Sequence, residues 1–185
     1  MTPQTREAVA RVTYTTAVKL GQQYGRRFWE EDEGLYGGIS WTDQTITQIW
    51  YPSYSFHGQK GVVQGVYVFD RRAYELGALT SAQRTERVLA EGERIHSQYR
   101  ESFENSFSIA WHRIHYQLGC YAIYGDSSRE TYYPQLLESE GRIYLAGEHL
   151  SYLTGWMEGA LQAAYIAMRA MHEHAQAQPA IEEGI

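Results

Sequence analysis

Near the end of the chain, Gly147-Glu148-His149 closes an apolar run, and Gly155-Trp156-Met157 opens a long helical pattern. A strand ending in a carboxylate, followed by a helix start, places Glu148 and several unbonded backbone N–H groups at one sheet edge. Helix N-termini attract anions or the electron-rich end of a ligand. Trp156 adds a flat wall to such a place. The same string also reads as an ordinary connecting loop with Glu158 as a residue of the first helical turn.

Other candidate chemistry is sparse. His112 with His115, and His172 with His174, have no further ligands at useful spacing, so no metal site is expected. Cys120 is the single cysteine, which rules out an internal disulfide. Sixteen Lys and Arg against 22 Asp and Glu give a net charge of −6, a poor match to nucleic acid. No apolar run approaches the roughly 18 residues of a membrane span. The aromatic fraction of 14%, with 16 Tyr and 5 Trp, suits a site with flat amphipathic walls as well as half-buried sheet positions.

The elements that must position these residues read as follows. Pro3 starts a short helix, and Val12–Tyr24, Ile46–Tyr51 and Gly61–Phe69 are strand candidates. Thr80-Ser81-Ala82-Gln83 is a capping box, followed by a helix with Val88, Leu89, Gly92, Ile95 and Tyr99 on one face. Phe107–Tyr124 is again strand-like, Gly125–Ser128 is a polar turn, and Tyr132–Gly141 reads as irregular chain. Arg142–Gly147 reads as a buried strand, and Met157, Ala160, Leu161, Ala164, Met168 and Met171 recur at helical spacing. Strands precede a final strand and helix, which makes the fold class α+β.

Arg142-Ile-Tyr-Leu-Ala-Gly-Glu-His149 followed by Thr154-Gly-Trp-Met-Glu-Gly-Ala-Leu-Gln-Ala-Ala164 resembles the C-terminal signature of flavin-dependent amine oxidases, particularly L-amino-acid oxidases. Tyr14-Thr-Thr-Ala-Val-Lys19, Arg27-Phe-Trp-Glu-Glu-Asp-Glu-Gly34, Gly37-Gly38 and Trp50-Tyr-Pro52 resemble that family's substrate-domain segments, in the same order. The resemblance implies FAD, with Gly147 and Glu148 at its ribityl and diphosphate portion. It puts the Met157 amide at flavin N1 and the C2 carbonyl. Lys19 matches the lysine holding a water near flavin N5, although a lysine in an alternating strand is ordinarily a solvated edge residue. Tyr67 matches the tyrosine that binds the substrate carboxylate, and Gly155 the glycine whose carbonyl accepts from the substrate amine. Trp111, Trp156 and Tyr121 match aromatic walls of the substrate and flavin site. Cys120 falls where monoamine oxidases attach FAD covalently; the non-covalent reading is favoured, because a lone cysteine usually acts as a small hydrophobe.

The family begins with a strand and a Gly-x-Gly-x-x-Gly turn that grips the FAD diphosphate, and these residues contain no such fingerprint. The expectation is therefore part of an enzyme: a partial mixed substrate-binding sheet with helices, plus the terminal strand and helix of a Rossmann-like FAD domain. The expected divisions are 1–13 as the end of an FAD-domain segment, 14–125 as substrate-domain portion, 126–176 as FAD-domain portion and 177–185 as a tail. A second chain carrying the glycine fingerprint is the expected partner, with an L-amino acid or amine and molecular oxygen as reactants. An amine or polyamine oxidase portion, or a non-catalytic interaction protein derived from an oxidase, are the alternative readings.

Overall fold

Residues 17–24 alternate between faces: Val18, Leu20, Gln22 and Tyr24 are fully buried, whereas Lys19, Gly21 and Gln23 point the other way. β2 (Ala17–Tyr24) is an inner strand of a five-stranded sheet in the computed structural model, which describes residues 1–177. The sheet order is β3 (Ile39–Trp41), β4 (Gln48–Trp50), β5 (Gly61–Phe69), β2 and β6 (Phe103–Ala110). β2 runs antiparallel to both β5 and β6. A register shift at Leu20/Gly21 against β5 marks a bulge that turns both Gly65 and Val66 toward the core.

Three helices belong to this unit: α2 (Phe28–Glu31), α3 (Asp70–Gly77) and α4 (Ser81–Gly92). The capping box holds as expected, with the Gln83 amide donating to the Thr80 hydroxyl and the Thr80 amide to the Gln83 side chain. Its core is an aromatic knot. The Tyr24 ring meets Phe28 at 5.1 Å, Tyr99 at 5.6 Å and Trp29 at 5.9 Å, all edge to face. Part of the aromatic excess is thus core. Arg27, 2% exposed, pairs with Glu30 and donates to the Pro52 and Lys60 carbonyls, fastening the loop after β4.

The chain divides into two compact units, residues 16–120 just described and a discontinuous one of 1–15 with 121 onward. In the second, α1 (Pro3–Arg11) starts at Pro3 under a Thr2 cap and packs on α5 (Asp126–Leu137), Ala8 and Leu136 being buried together. β1 (Thr13–Tyr14) pairs with β7 (Ala122–Ile123), and the Thr15 amide donates to the Tyr121 carbonyl. α6 (Met157–Ala177) closes the described chain. The tail expected at 177–185 lies, from residue 178, outside the described residues.

Three sequence expectations change. The strand expected over Phe107–Tyr124 is instead β6, a 3-10 turn at Trp111–Arg113, a loop and the short β7. The expected turn at Gly125–Ser128 and irregular stretch after Tyr132 form α5, which continues through Pro134 because Tyr133 and Leu136 gain burial. Arg142–Gly147 forms no strand: a ladder needs a neighbour, and among the described residues the pairing here is one bridge, Glu140 to Ile143. The apolar stripe of α6, by contrast, is largely uncovered, as expected of this part of the fold alone, with Met157, Leu161, Met168 and Met171 each more than half exposed.

Candidate active site

In the discontinuous unit the site is organised by one carboxylate. Gly147 holds φ +145° and ψ +170°, a conformation closed to side-chain-bearing residues, and sends the chain into the 3-10 turn Glu148–Leu150. From there Glu148 Oε1 accepts from the Ala122 amide and Oε2 from the Gly155 amide, both at 2.9 Å. One side chain thereby ties the Ala122 strand, 26 residues earlier, and the Gly155 loop, seven residues later, to its own turn. Gly155, at φ +80°, lies so close to Tyr121 that an added Cβ would sit 3.2 Å from the ring. The structure thus brings Tyr121, Glu148 and Gly155 together.

Trp156 and Met157 follow directly, 71% and 86% exposed, and α6 begins at Met157. The first amides of a helix have no carbonyl four residues earlier in the helix to bond, so this end offers donors and a positive dipole end. Beside it, burial pushes the His149 imidazole below its ordinary value against the opposing pull of Glu148. Burial, then Glu148, raises the Tyr14 phenol. The glycine cradle, the helical amides and the exposed rings fit an electron-rich planar ligand, and the Glu148 carboxylate, each of whose oxygens keeps a lone pair beyond its backbone bond, fits a hydroxyl donor on that ligand.

In the unit of residues 16–120, Lys19 and Tyr67 face each other across β2 and β5 on the side of the sheet away from the aromatic knot. Lys19 Nζ lies 4.1 Å from the Tyr67 ring centroid, a cation–π contact. Ile109 of β6 is the other cross-strand neighbour of Lys19. Trp111, half-buried, stands in the 3-10 turn two residues beyond Ile109. Its neighbour His112 packs on Gly77 and, at 5.1 Å, on the Tyr74 ring; burial lowers its pKa. Cys120 is partly exposed at the end of this unit. The described residues contain no group of three His, Cys, Asp or Glu side chains able to hold a metal.

Sequence reasoning passed over the neighbours of Lys19 on the sheet, namely Gly21, Gln23, Gln64 and Phe107. Counting by twos from Lys19 finds the first two, but the others need the strand register. It also passed over the chain in which the Tyr51 phenol donates to the Ser40 hydroxyl and hydrogen-bonds His96 Nε2.

Residues 1–172 match the family described as flavin containing amine oxidoreductase. The chain belongs to this family. The L-amino-acid oxidase of Siganus canaliculatus is 31% identical over 161 residues, covering 85% of this chain and 30% of that protein. The flavin-dependent L-tryptophan oxidase of Lentzea aerocolonigenes is 33% identical over 171 residues, covering 89% of this chain and 36% of that protein. Among solved structures, a variant of a putrescine oxidase redesigned for cofactor binding matches with a TM-score of 0.76 at 17% identity, over 96% of this chain and 39% of that one. Cyclohexylamine oxidase from Brevibacterium oxydans gives 0.75 at 17%, over 95% of this chain and 39% of that one. The flavin amine oxidoreductase fold is thus shared, and the chain spans about a third of the length of the curated relatives it matches. No described helix is long and apolar enough to cross a membrane.

Proposed function

We propose that this chain is the C-terminal portion of an FAD-dependent L-amino-acid oxidase. What carries the reading is the coincidence of two things: one-third identity to L-amino-acid and L-tryptophan oxidases, and a lysine placed mid-sheet over Tyr67 on the side away from the core. FAD, bound without a covalent link, would supply the redox chemistry for a two-electron oxidation of the amino acid, with oxygen and water consumed and keto acid, ammonia and hydrogen peroxide formed.

The chain's own residues bind and orient. Gly147 and Glu148 hold the ribityl and diphosphate portion, and the Met157 amide serves the flavin N1 edge, where a helix start stabilises negative charge without rearranging. Lys19 Nζ holds a water by donating a hydrogen bond to it. The Tyr67 phenol donates to the substrate carboxylate, and the Gly155 carbonyl accepts from the substrate amine. Trp111, Trp156 and Tyr121 wall the site and exclude bulk water. Cys120 takes no part in holding the flavin.

The glycine-rich half comes from a partner chain or from further sequence of the same protein. Two features support this: the uncovered stripe of α6 and the apolar segment 142–147 with one bridge for a partner. The test is to isolate the protein from its source, record its absorbance and measure peroxide on adding L-amino acids and their decarboxylated amines. A yellow complex active on the acids alone supports the reading. Activity on amines alone assigns an amine or polyamine oxidase, and a colourless, inactive protein a non-catalytic role.

A further inference from the structure

The sheet side that carries Lys19 is a small grid. From the registers, its rows are Tyr67–Lys19–Ile109, Gln64–Gly21–Phe107 and Val62–Gln23–Asn105. The middle square is Gly21, and nothing there occupies the place of a side chain. A hollow of about 280 Å³ results, lined by Gly21, Gln23, Val62, Asn105, Ser106 and Phe107. Phe107 does not fold over it, being 74% exposed.

The fold does not require this glycine. Its φ is not among the positive ones, and an added Cβ would meet only Val62 Cγ1, at an ordinary 3.5 Å. A glycine inside a strand weakens the strand, and commonly marks a place where something else approaches the backbone closely. The hollow lies one pleat, about 7 Å, from Lys19. Its walls are apolar at Val62 and Phe107 and neutral at Gln23 and Asn105. Gln23 Nε2 donates to Glu104 at 2.8 Å, which leaves the neutral amide its Oε1 as an acceptor. No ionisable side chain lines the hollow to pair with a charged group.

We infer that Gly21 sets substrate specificity, the hollow above it receiving the far end of a large neutral side chain such as an indole or phenol. This rests on the reading of Lys19 as facing the reacting centre of an amino-acid oxidase. A short side chain leaves the hollow unfilled.

The test uses the flavin-loaded protein with all its chains, comparing parent, Gly21→Ala and Gly21→Leu on L-tryptophan, L-alanine and L-glutamate. The ratio of kcat/KM for L-tryptophan over L-alanine falls tenfold or more in Gly21→Leu, the scale on which a pocket rejects excess bulk, and by less in Gly21→Ala. L-Glutamate stays a poor substrate throughout. Thermal melting shows whether each variant folds; if Gly21→Leu does not, Gly21→Ala still has to lower the ratio. An unchanged ratio in a folded variant overturns the inference and leaves the oxidase reading standing, the hollow then being filled by protein. A parent that oxidises none of the three overturns both.

Discussion

Removing the Glu148 carboxylate separates its two roles, holding the loops together and holding a flavin. Its oxygens accept from the Ala122 and Gly155 amides at 2.9 Å. Hydrogen bonds to a charged group contribute about 1.5–3 kcal/mol each, and a half-buried carboxylate belongs at the lower end. Glu148→Ala therefore loses about 3 kcal/mol locally, roughly a hundredfold in the balance between closed and open loop. Glu148→Gln loses about half, since its one oxygen can serve only one amide and its NH2 group faces the other. The assay is hydrogen exchange of the Ala122 and Gly155 amides in protein stripped of flavin, with retention of FAD measured separately. Protection falls about a hundredfold in Glu148→Ala and less in Glu148→Gln. Unchanged protection in the alanine variant refutes the reasoning, because the carboxylate then holds nothing in the absence of cofactor.

Lys19→Met slows flavin reduction or reoxidation in stopped-flow absorbance while FAD stays bound; unaltered rates in both half-reactions remove the lysine from the mechanism. Tyr99→Phe takes the hydroxyl that donates to the fully buried Gln22 Oε1 at 2.7 Å, costing about 1–3 kcal/mol in urea unfolding, and adding Gln22→Leu recovers part of the loss. Gly65→Ala pushes a Cβ to 2.1 Å from Gln22 Oε1 and 2.8 Å from the Tyr99 hydroxyl, so melting falls by an amount matching about 1–3 kcal/mol of overpacking. The Arg27 hydrogen bond holds the Glu30 carboxyl below its ordinary value of 4.5. The pair's stabilisation is therefore complete above that value and is lost as pH falls through the lowered one. The urea midpoint should drop below pH 4.5, more weakly in Glu30→Gln.

Elements whose signal is local were legible in the sequence. Thr80 and Gln83 announce α4 because both halves of the capping box sit within four residues, and Pro3 announces α1 because its ring suits a first helical turn. α5 was not legible: Tyr132/Leu136 and Tyr133/Leu137 do recur four residues apart, but Pro134 between them reads as a helix breaker, and burial against α1 offsets what the proline costs. Arg142–Gly147 misled for the opposite reason, since apolar composition suggests a strand but only a neighbour makes one. Of the candidate site, the Glu148 and Met157 pairing follows from strand-loop-helix logic, whereas Lys19 and Tyr67 were marked by resemblance. Gly21 became visible only once register put it at the centre of nine positions.

The pairing of β1 with β7 spans an insertion of roughly a hundred residues, which has a consequence for how the chain finds its shape. Closing a flexible loop of that length costs about 4 kcal/mol of chain entropy, more than a two-residue ladder returns. The Thr13–Ile123 closure becomes affordable once the inserted residues 16–120 have collapsed and drawn their ends together. Folding is thereby ordered from the middle of the chain outward. Where residues 16–120 unfold, the β1–β7 pairing has to bear that closure cost alone.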